Sequence, residues 1–293
     1  MRLCLSCNAG FSGDAWRCPQ CGYEPSRIGG YPAFAPEHAR GASGYDPAQF
    51  AELARLEAGN FWFRARNRLI AWAIGRYFPG ARNLLEVGCG TGFVLAGIAA
   101  AFPALKLAAS EAASEGLAFA AARAPGASLM QMDARRIPFR GEFDVVGAFD
   151  VIEHVEDDRA VLAELRAAAV PGGGVLITVP QHRALWSEYD VRAGHVRRYR
   201  ARELSTRMVE SGLEIVRMTS FVTVLLPLMY LSRLAQRAPG AGYDPLAELR
   251  IAPWLNWPLE QALLLERLLI RAGINLPVGG SLLVVARRPQ RER

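Results

Sequence analysis

Three groups of residues in this chain have types and spacings that could do chemistry. The first is Glu86-Val-Gly88-Cys89-Gly90-Thr-Gly92, where an apolar run ends in an acid and leads into three alternate glycines. Glycine lacks the Cβ that keeps a ligand away from backbone, so such a turn lets main-chain N–H groups approach a bound molecule. The second is Cys4, Cys7, Cys18 and Cys21, two Cys-x-x-Cys pairs separated by ten residues. Two such knuckles present four thiolates to one tetrahedral Zn²⁺, and metal binding supplies folding free energy that so short a segment cannot draw from a core. A redox Cys-x-x-Cys would instead occur once, at the start of a helix. Four cysteine ligands leave no open position, so such a zinc is structural. The third group is Asp150-Val-Ile-Glu153-His154, with His182 and His195 further along. In a helical turn the i, i+3, i+4 spacing gathers Asp150, Glu153 and His154 on one side. There they could hold a divalent cation that lowers the pKa of a hydroxyl, with His182 or His195 completing the set. Alternatively His154 is a metal-free general base, or Glu153 and His154 are hydrogen-bonding structure. Glu153, His154 and His195 are the candidate catalytic residues.

Elements that position these groups can be read from the apolar pattern. Strands are predicted over Asn83–Val87, Leu105–Ser110, Ala127–Met132, Phe143–Phe149, Gly174–Val179, Leu213–Thr219 and Ser281–Arg287. Helices alternate with them, including Phe61–Tyr77, Phe93–Ala101, Ser114–Arg123 and Arg202–Ser211. The alternation predicts an α/β fold, a doubly wound, Rossmann-like sheet with helices on both faces and its ligand beyond the carboxyl ends of the strands. Glu111 stands twenty-five residues after Glu86, at the tip of the second strand, where an acid can accept two hydrogen bonds from a ribose diol. The glycine spacing, Gly-x-Gly-x-Gly, departs from the Gly-x-Gly-x-x-Gly of dinucleotide sites.

Glu86-x-Gly88-x-Gly90-x-Gly92 resembles motif I of class I S-adenosylmethionine-dependent methyltransferases, and Glu111 and Met132-Asp133-Ala134 fall where that family places its next two strand tips. The resemblance runs from about Leu84 to Arg287 and implies a seven-stranded methyltransferase sheet. It implies an S-adenosylmethionine site built from Glu86, Gly88, Cys89, Gly90, Gly92, Glu111, Asp133, Ala134 and Asp150, with Asp133 accepting from the adenine amino group. Asp150-Val-Ile-Glu153-His154 stands in place of the Asn/Asp-Pro-Pro-Tyr/Phe of amine methylases and is similar to the ubiquinone-pathway O-methyltransferases. The domain organisation expected is a zinc ribbon over 1–28, a Gly/Pro-rich linker over 29–46 and the methyltransferase domain over 47–293.

Around this frame the chain carries further signals. Phe61, Trp62 and Phe63, with Arg64 and Arg66, either line a lid over the cofactor or pack on the sheet. Residues 221–280 form an apolar helical insertion, with Leu225, Leu228, Leu231 and Leu234 in one block and Tyr243, Trp254 and Trp257 flanking. It could be a cap over the substrate cleft, a homodimer face or a peripheral membrane patch. The formal charge of +6 rests almost wholly on arginine, Lys106 being the only lysine, and so says little about nucleic acid. No charged-then-apolar leader opens the chain, and the run Phe221–Leu231 is too short to span a bilayer. A cytoplasmic location is expected, with contact at the inner face of the membrane if the insertion docks. The acceptor expected is the oxygen of a small molecule or of a lipid- or polyprenyl-linked saccharide. The alternative is RNA, gripped by the ribbon and the Arg192–Arg202 cluster. Low lysine content and the apolar insertion argue against it.

Overall fold

The computed structural model describes residues 1–13, 15–39, 47–235, 244 and 246–290. The chain opens with two short strands, β1 (Arg2–Leu3) and β2 (Gly10–Phe11), then a hairpin, β3 (Ser26–Ile28) and β4 (Tyr31–Ala33). Helices α1 (Pro47–Glu57) and α2 (Phe61–Tyr77) follow. Then come β5 (Asn83–Val87), α3 (Phe93–Ala101), β6 (Lys106–Glu111), α4 (Ser114–Arg123), β7 (Ser128–Gln131) and β8 (Phe143–Phe149). The remainder is α5 (Asp158–Ala168), β9 (Ala169–Pro180), α6 (Glu188–Arg192), α7 (Ala201–Glu210), β10 (Glu214–Phe221), α8 (Leu226–Ala235), α9 (Pro253–Arg271) and β11 (Ser281–Arg287).

The seven predicted strands lie in one sheet in the order β10-β11-β9-β8-β5-β6-β7, parallel except where β11 inserts antiparallel between β9 and β10. The central strands are apolar on both faces because helices cover both, so Leu84 and Val145 pack in one core and Leu85 and Val146 in the other. Connections leave β5 toward β6 and β7 and then return to β8, which makes the carboxyl end of β5 the switch point where a ligand cleft opens.

Two further strands, β4 and β3, extend the sheet beyond β7 to nine. They fall partly in the stretch read as a linker, which over residues 29–39 is packed structure; residues 40–46 lie outside the described residues. The physical reason is the open edge of β7, whose unpaired backbone needs a partner. Ala33 pairs with Gln131, and Phe34 N donates to Gln131 O at 2.9 Å. The fully buried Gln131 side chain accepts from Ala35 N (3.1 Å) and donates to Ala35 O (2.6 Å) and Ala112 O (2.9 Å).

At the amino end the four cysteine thiols are free and gathered together, Cys4 and Cys21 Sγ 3.6 Å apart and Cys7 and Cys18 Sγ 3.7 Å apart. A tetrahedron with Zn–S bonds of about 2.3 Å has edges of about 3.8 Å, so these thiols fit zinc. Trp16 packs edge-on against Phe34 and Phe139, joining the ribbon to the main core.

The insertion is tied to α2. Asn256 Oδ1 accepts from Phe61 N at 2.8 Å, and Glu260 holds Arg64 and Arg68. Buried Glu266 accepts from the N–H groups of Val222, Thr223 and Val224 at 2.6, 2.5 and 3.0 Å. Tyr243 and the side chain of Leu234 lie outside the described residues. No described helix is long and apolar enough to cross a membrane.

Replacing Gln131 by leucine leaves three buried backbone groups unpaired, at about 1–3 kcal/mol each before relaxation. We expect Gln131→Leu to lower stability by about 2–4 kcal/mol in urea unfolding. An unchanged midpoint would mean that the β3–β4 hairpin is not part of the cooperative unit.

Candidate functional site

A cavity of about 900 Å³ opens beyond the carboxyl ends of β5, β6, β7 and β8. That is near the upper end for small-molecule sites, with room for a cofactor and a substrate side by side. It collects most of the site residues singled out from the sequence on the methyltransferase side: Gly88, Cys89 and Gly90 of the glycine turn with Glu86, Glu111, Asp133-Ala134, Asp150, Glu153, His154 and His195. Gly92 and His182 do not line it.

Two of the three glycines are required by packing and one by the ligand space. All three have positive φ, which costs a side chain strain. A Cβ on Gly92 would lie 2.6 Å from Ala120 Cα, and one on Gly88 2.5 Å from Val151 Cγ2. On Gly90 a Cβ would meet nothing within 4 Å, because it would project into open space. Glu111 braces this turn from the neighbouring strand: one oxygen accepts from Gly90 N (2.8 Å) and the other from Ala112 N and Ala113 N (2.8 and 3.2 Å). Burial nonetheless raises its pKa.

Glu86 is buried at the base of the cavity with Oε2 lacking a hydrogen-bond partner, and burial pushes its pKa up to about 8. A buried acid with one oxygen unpartnered, beside glycine backbone and a second acid on β6, fits a cationic ligand such as S-adenosylmethionine. At the far end Arg135 grips Asp133 through Nε and Nη2, the latter 2.7 Å from Oδ2, and His38 stands 3.5 Å away. Burial opposes ionisation of Asp133, but the hydrogen bonds from Arg135 outweigh it and lower its pKa. His38, from the amino-terminal segment, thus belongs to the same cavity wall as Asp133 and Ala134. Cys89 is buried in the turn with its thiol pKa raised by that burial, as expected of a structural position.

The acceptor side corrects the sequence reading of the acid cluster. Asp150 does not join Glu153 and His154. Its backbone takes φ +58°, and its carboxylate pairs with Arg66 of α2 and accepts from Thr178 Oγ1 at 3.2 Å. Ligating atoms of Glu153, His154 and His195 instead lie within 4.8 Å of one another. The difference arises because Ile152–His154 form a single 3₁₀ turn, so the i, i+3, i+4 face of an α-helix does not exist here.

Glu153 is completely buried and neither of its oxygens has a hydrogen-bond partner, so burial and the nearby Asp150 charge raise its pKa. His154 is kept neutral, its pKa pulled down to about 3 by burial and by His195. The two imidazoles meet edge to face with centroids 4.7 Å apart. Behind His195 sits Asp190, buried and fully bonded. Oδ1 accepts from His195 Nδ1 (2.8 Å) and Arg198 Nε (2.7 Å), and Oδ2 from Ser187 N and Oγ (2.8 and 3.2 Å). Despite burial, the His195 hydrogen bond and the Arg198 charge lower its pKa to about 2. An ionised Asp190 fixes the proton on Nδ1 and leaves Nε2 as the acceptor.

His38, and the pairings of Arg66 with Asp150 and of Asp190 with His195 and Arg198, are features of the site that the sequence reading did not assign. Asp190 carried one legible signal, its position three residues after Ser187 in a capping box. The aromatics of α2 serve both expected roles, since Phe63 is buried and Phe61, Trp62 and Phe63 line the cavity, with Arg66 stacked 4.5 Å over Trp62. The insertion also lines it, through Leu225, Leu228, Met229 and Leu259. Of the arginine cluster, Arg197 and Arg198 turn inward onto Asp158 and Asp190, and Arg192 pairs with Glu188.

The pKa of Glu86 has a consequence for stability. In the fold it keeps its proton up to about pH 8, against an ordinary value of 4.5. Its contribution is complete below the ordinary value and is lost as pH rises through the folded one, by up to about 1.4 kcal/mol per pH unit. Ligand-free protein should therefore lose urea stability across that window. Glu86→Gln should reduce the slope and leave the part that Glu153 contributes in the same direction. An unaltered slope in this variant would show that Glu86 does not titrate there.

Comparison with known proteins agrees with this geometry. The methyltransferase domain family matches residues 54–218, more than half of the chain. A probable S-adenosylmethionine-dependent methyltransferase of Mycolicibacterium smegmatis is 29% identical over 166 residues, 55% of this chain and 62% of the relative. Norajmaline N-methyltransferase of Rauvolfia serpentina is 30% identical over 110 residues, 36% of this chain and 38% of the relative. The chain thus spans less than two thirds of the length of either. Among solved structures, geranyl diphosphate methyltransferase in complex with its diphosphate and sinefungin superposes with a TM-score of 0.52 at 17% identity, covering 77% of each chain, a likeness of fold. The matched stretch contains the glycine turn, Glu111, Asp133 and the Glu153–His195 cluster, and the chain belongs to the methyltransferase domain family.

Proposed function

We propose that the protein transfers a methyl group from S-adenosylmethionine to a hydroxyl oxygen of an apolar small molecule, of the lipid- or polyprenyl-linked kind. The observation that carries this reading is the Asp190–His195 pair, whose histidine lines the same cavity as the glycine turn. Glu86, Glu111, Asp133 and the turn backbone would hold the donor, whose sulfonium supplies an already activated methyl group. His195 Nε2 accepts the hydroxyl proton as the oxygen attacks, so that a C–O bond forms, the C–S bond breaks and the proton rests on an imidazolium that Asp190 stabilises. The apolar wall made by Leu225, Leu228, Met229 and Leu259 suits a hydrocarbon-bearing acceptor, and a fold neighbour acts on a prenyl diphosphate.

Glu153, His154 and His195 also have the donor set for a divalent cation, and the unpartnered buried carboxylate of Glu153 is the feature that favours one. A cation there would lower the pKa of the acceptor hydroxyl. The RNA alternative is weakened, since Arg197 and Arg198 of its arginine cluster are turned into the fold.

With labelled donor and cell extracts, label is expected in an organic-soluble methyl ether, and label confined to RNA would overturn the proposal. Loss of turnover with EDTA, restored by Mg²⁺ or Mn²⁺, would assign the cation. His195→Gln should lower kcat by about 10²–10⁴-fold while calorimetric donor affinity stays near wild type. Gly92→Ala should do the reverse, cutting donor affinity at least tenfold (about 1.4 kcal/mol) through the clash with Ala120.

A further inference from the structure

Helix α9 is apolar on both faces. Its inward side, Leu259, Leu263 and Ile270, packs in the core with α2 and α8. Its outward side repeats Trp254, Trp257, Gln261, Leu265 and Leu268, a spacing of three and four that marks one face. These side chains are not covered: Trp254 is 75% exposed, Trp257 70% and Leu265 58%. A water-facing stripe of two tryptophans and two leucines on a helix of nineteen residues is a surface built to be covered. A second exposed apolar set, Val224, Leu228 and Leu231, runs at helical spacing into and along α8, and its Leu228 also lines the cavity.

Charge decides between occupants. The only acids of α9 are Glu260 and Glu266, and both face inward, one holding Arg64 and Arg68 and the other capping the backbone at Val222–Val224. Of its cations, Arg271 is exposed at the carboxyl end of the helix, and Arg267 is half-buried on the side of α2, close enough to Arg271 and Arg68 to feel mutual repulsion. The outward face of α9 therefore carries no acid, and the exposed charge at its carboxyl end is cationic. In a two-fold pairing of α9 faces the stripe would meet a copy of itself and offer no acid to answer those arginines. An anionic lipid surface answers both features, because tryptophan rings sit at the headgroup level and an exposed arginine meets phosphate.

We propose that α9, with the exposed edge of α8, is a peripheral membrane-docking surface selective for anionic bilayers, placing the Leu228 side of the cavity toward the lipid. The inference concerns binding alone and is tested apart from the methyl acceptor. The full-length protein is mixed with vesicles of phosphatidylcholine and of phosphatidylcholine with phosphatidylglycerol, and sedimentation and tryptophan emission are followed. Expected are co-sedimentation and a blue shift with the anionic vesicles, at least tenfold weaker partition with the neutral ones, and weakening by salt. Trp254→Ser with Trp257→Ser should reduce partition at least tenfold, and Arg267→Gln with Arg271→Gln should erase the preference for anionic lipid. Donor affinity by calorimetry, unchanged in these variants, shows that each still folds. Failure to bind anionic vesicles overturns the proposal, as does a stable dimer in sedimentation equilibrium that the tryptophan variant dissociates. Failure to find a methyl ether product would leave this surface standing, and loss of vesicle binding would leave the proposed chemistry standing.

Discussion

The structure depends on a close approach at the end of β5. Gly88 presses against Val151 and Gly92 against α4, each at a distance that no side chain could share. This contact draws the tip of β5, the start of α3 and the turn after β8 around one point. Glu111 completes it by bonding Gly90 N from the adjacent strand. The backbone is thereby held in a positive-φ path before any ligand arrives, which reduces the ordering that binding must supply. Mixed-sheet topology then sets the two sides of the cavity, because β6 and β7 lie to one side of β5 and β8 and β9 to the other.

The two sides solve the burial of charge differently. Toward β6, Glu86 and Glu111 have pKa values raised by burial, and the cationic donor proposed for this cavity would answer them. Asp133 is already answered by Arg135. Toward β9, Asp190 is ionised with four hydrogen bonds and passes its influence to His195, while Asp150 is answered by Arg66. Only Glu153 remains buried without a hydrogen-bonded partner on that side among the acids named here. A buried carboxylate in that state either keeps a proton or takes a cation. Its place beside the two imidazoles puts that choice at the cluster where the proposed reaction would occur.

Segments outside the Rossmann-like core do more than decorate it. The amino-terminal hairpin closes the β7 edge and brings His38 to Asp133, so the ribbon region contributes to the donor wall. The insertion between β10 and β11 contributes the opposite wall and is fastened to α2 by Glu260 and Asn256. Both additions use buried side chains of the core, Gln131 and Glu266, to satisfy backbone that would otherwise be stranded.

Much of this was legible along the chain. Helix bounds at Phe61–Tyr77, Phe93–Ala101 and Ser114–Arg123 and strand bounds at Phe143–Phe149 and Ser281–Arg287 follow from periodicity alone, because local burial patterns repeat within each element. The residues proposed to hold the donor were legible too, since a glycine turn and acids at successive strand tips are fixed by one βαβ unit after another. What the chain could not show is which residues meet across distance. Asp150 was grouped with Glu153 by spacing, yet Arg66, eighty-four positions away, takes it, and the 3₁₀ turn gives the cluster to His195 instead. The sequence by itself determined the fold class, the resemblance to the methyltransferase family and the four-thiol ribbon, all set by local spacing. Only the tertiary structure decided the acceptor side, because a charge buried there chooses its partner by proximity and dielectric, and neither is a property of neighbouring positions in the chain.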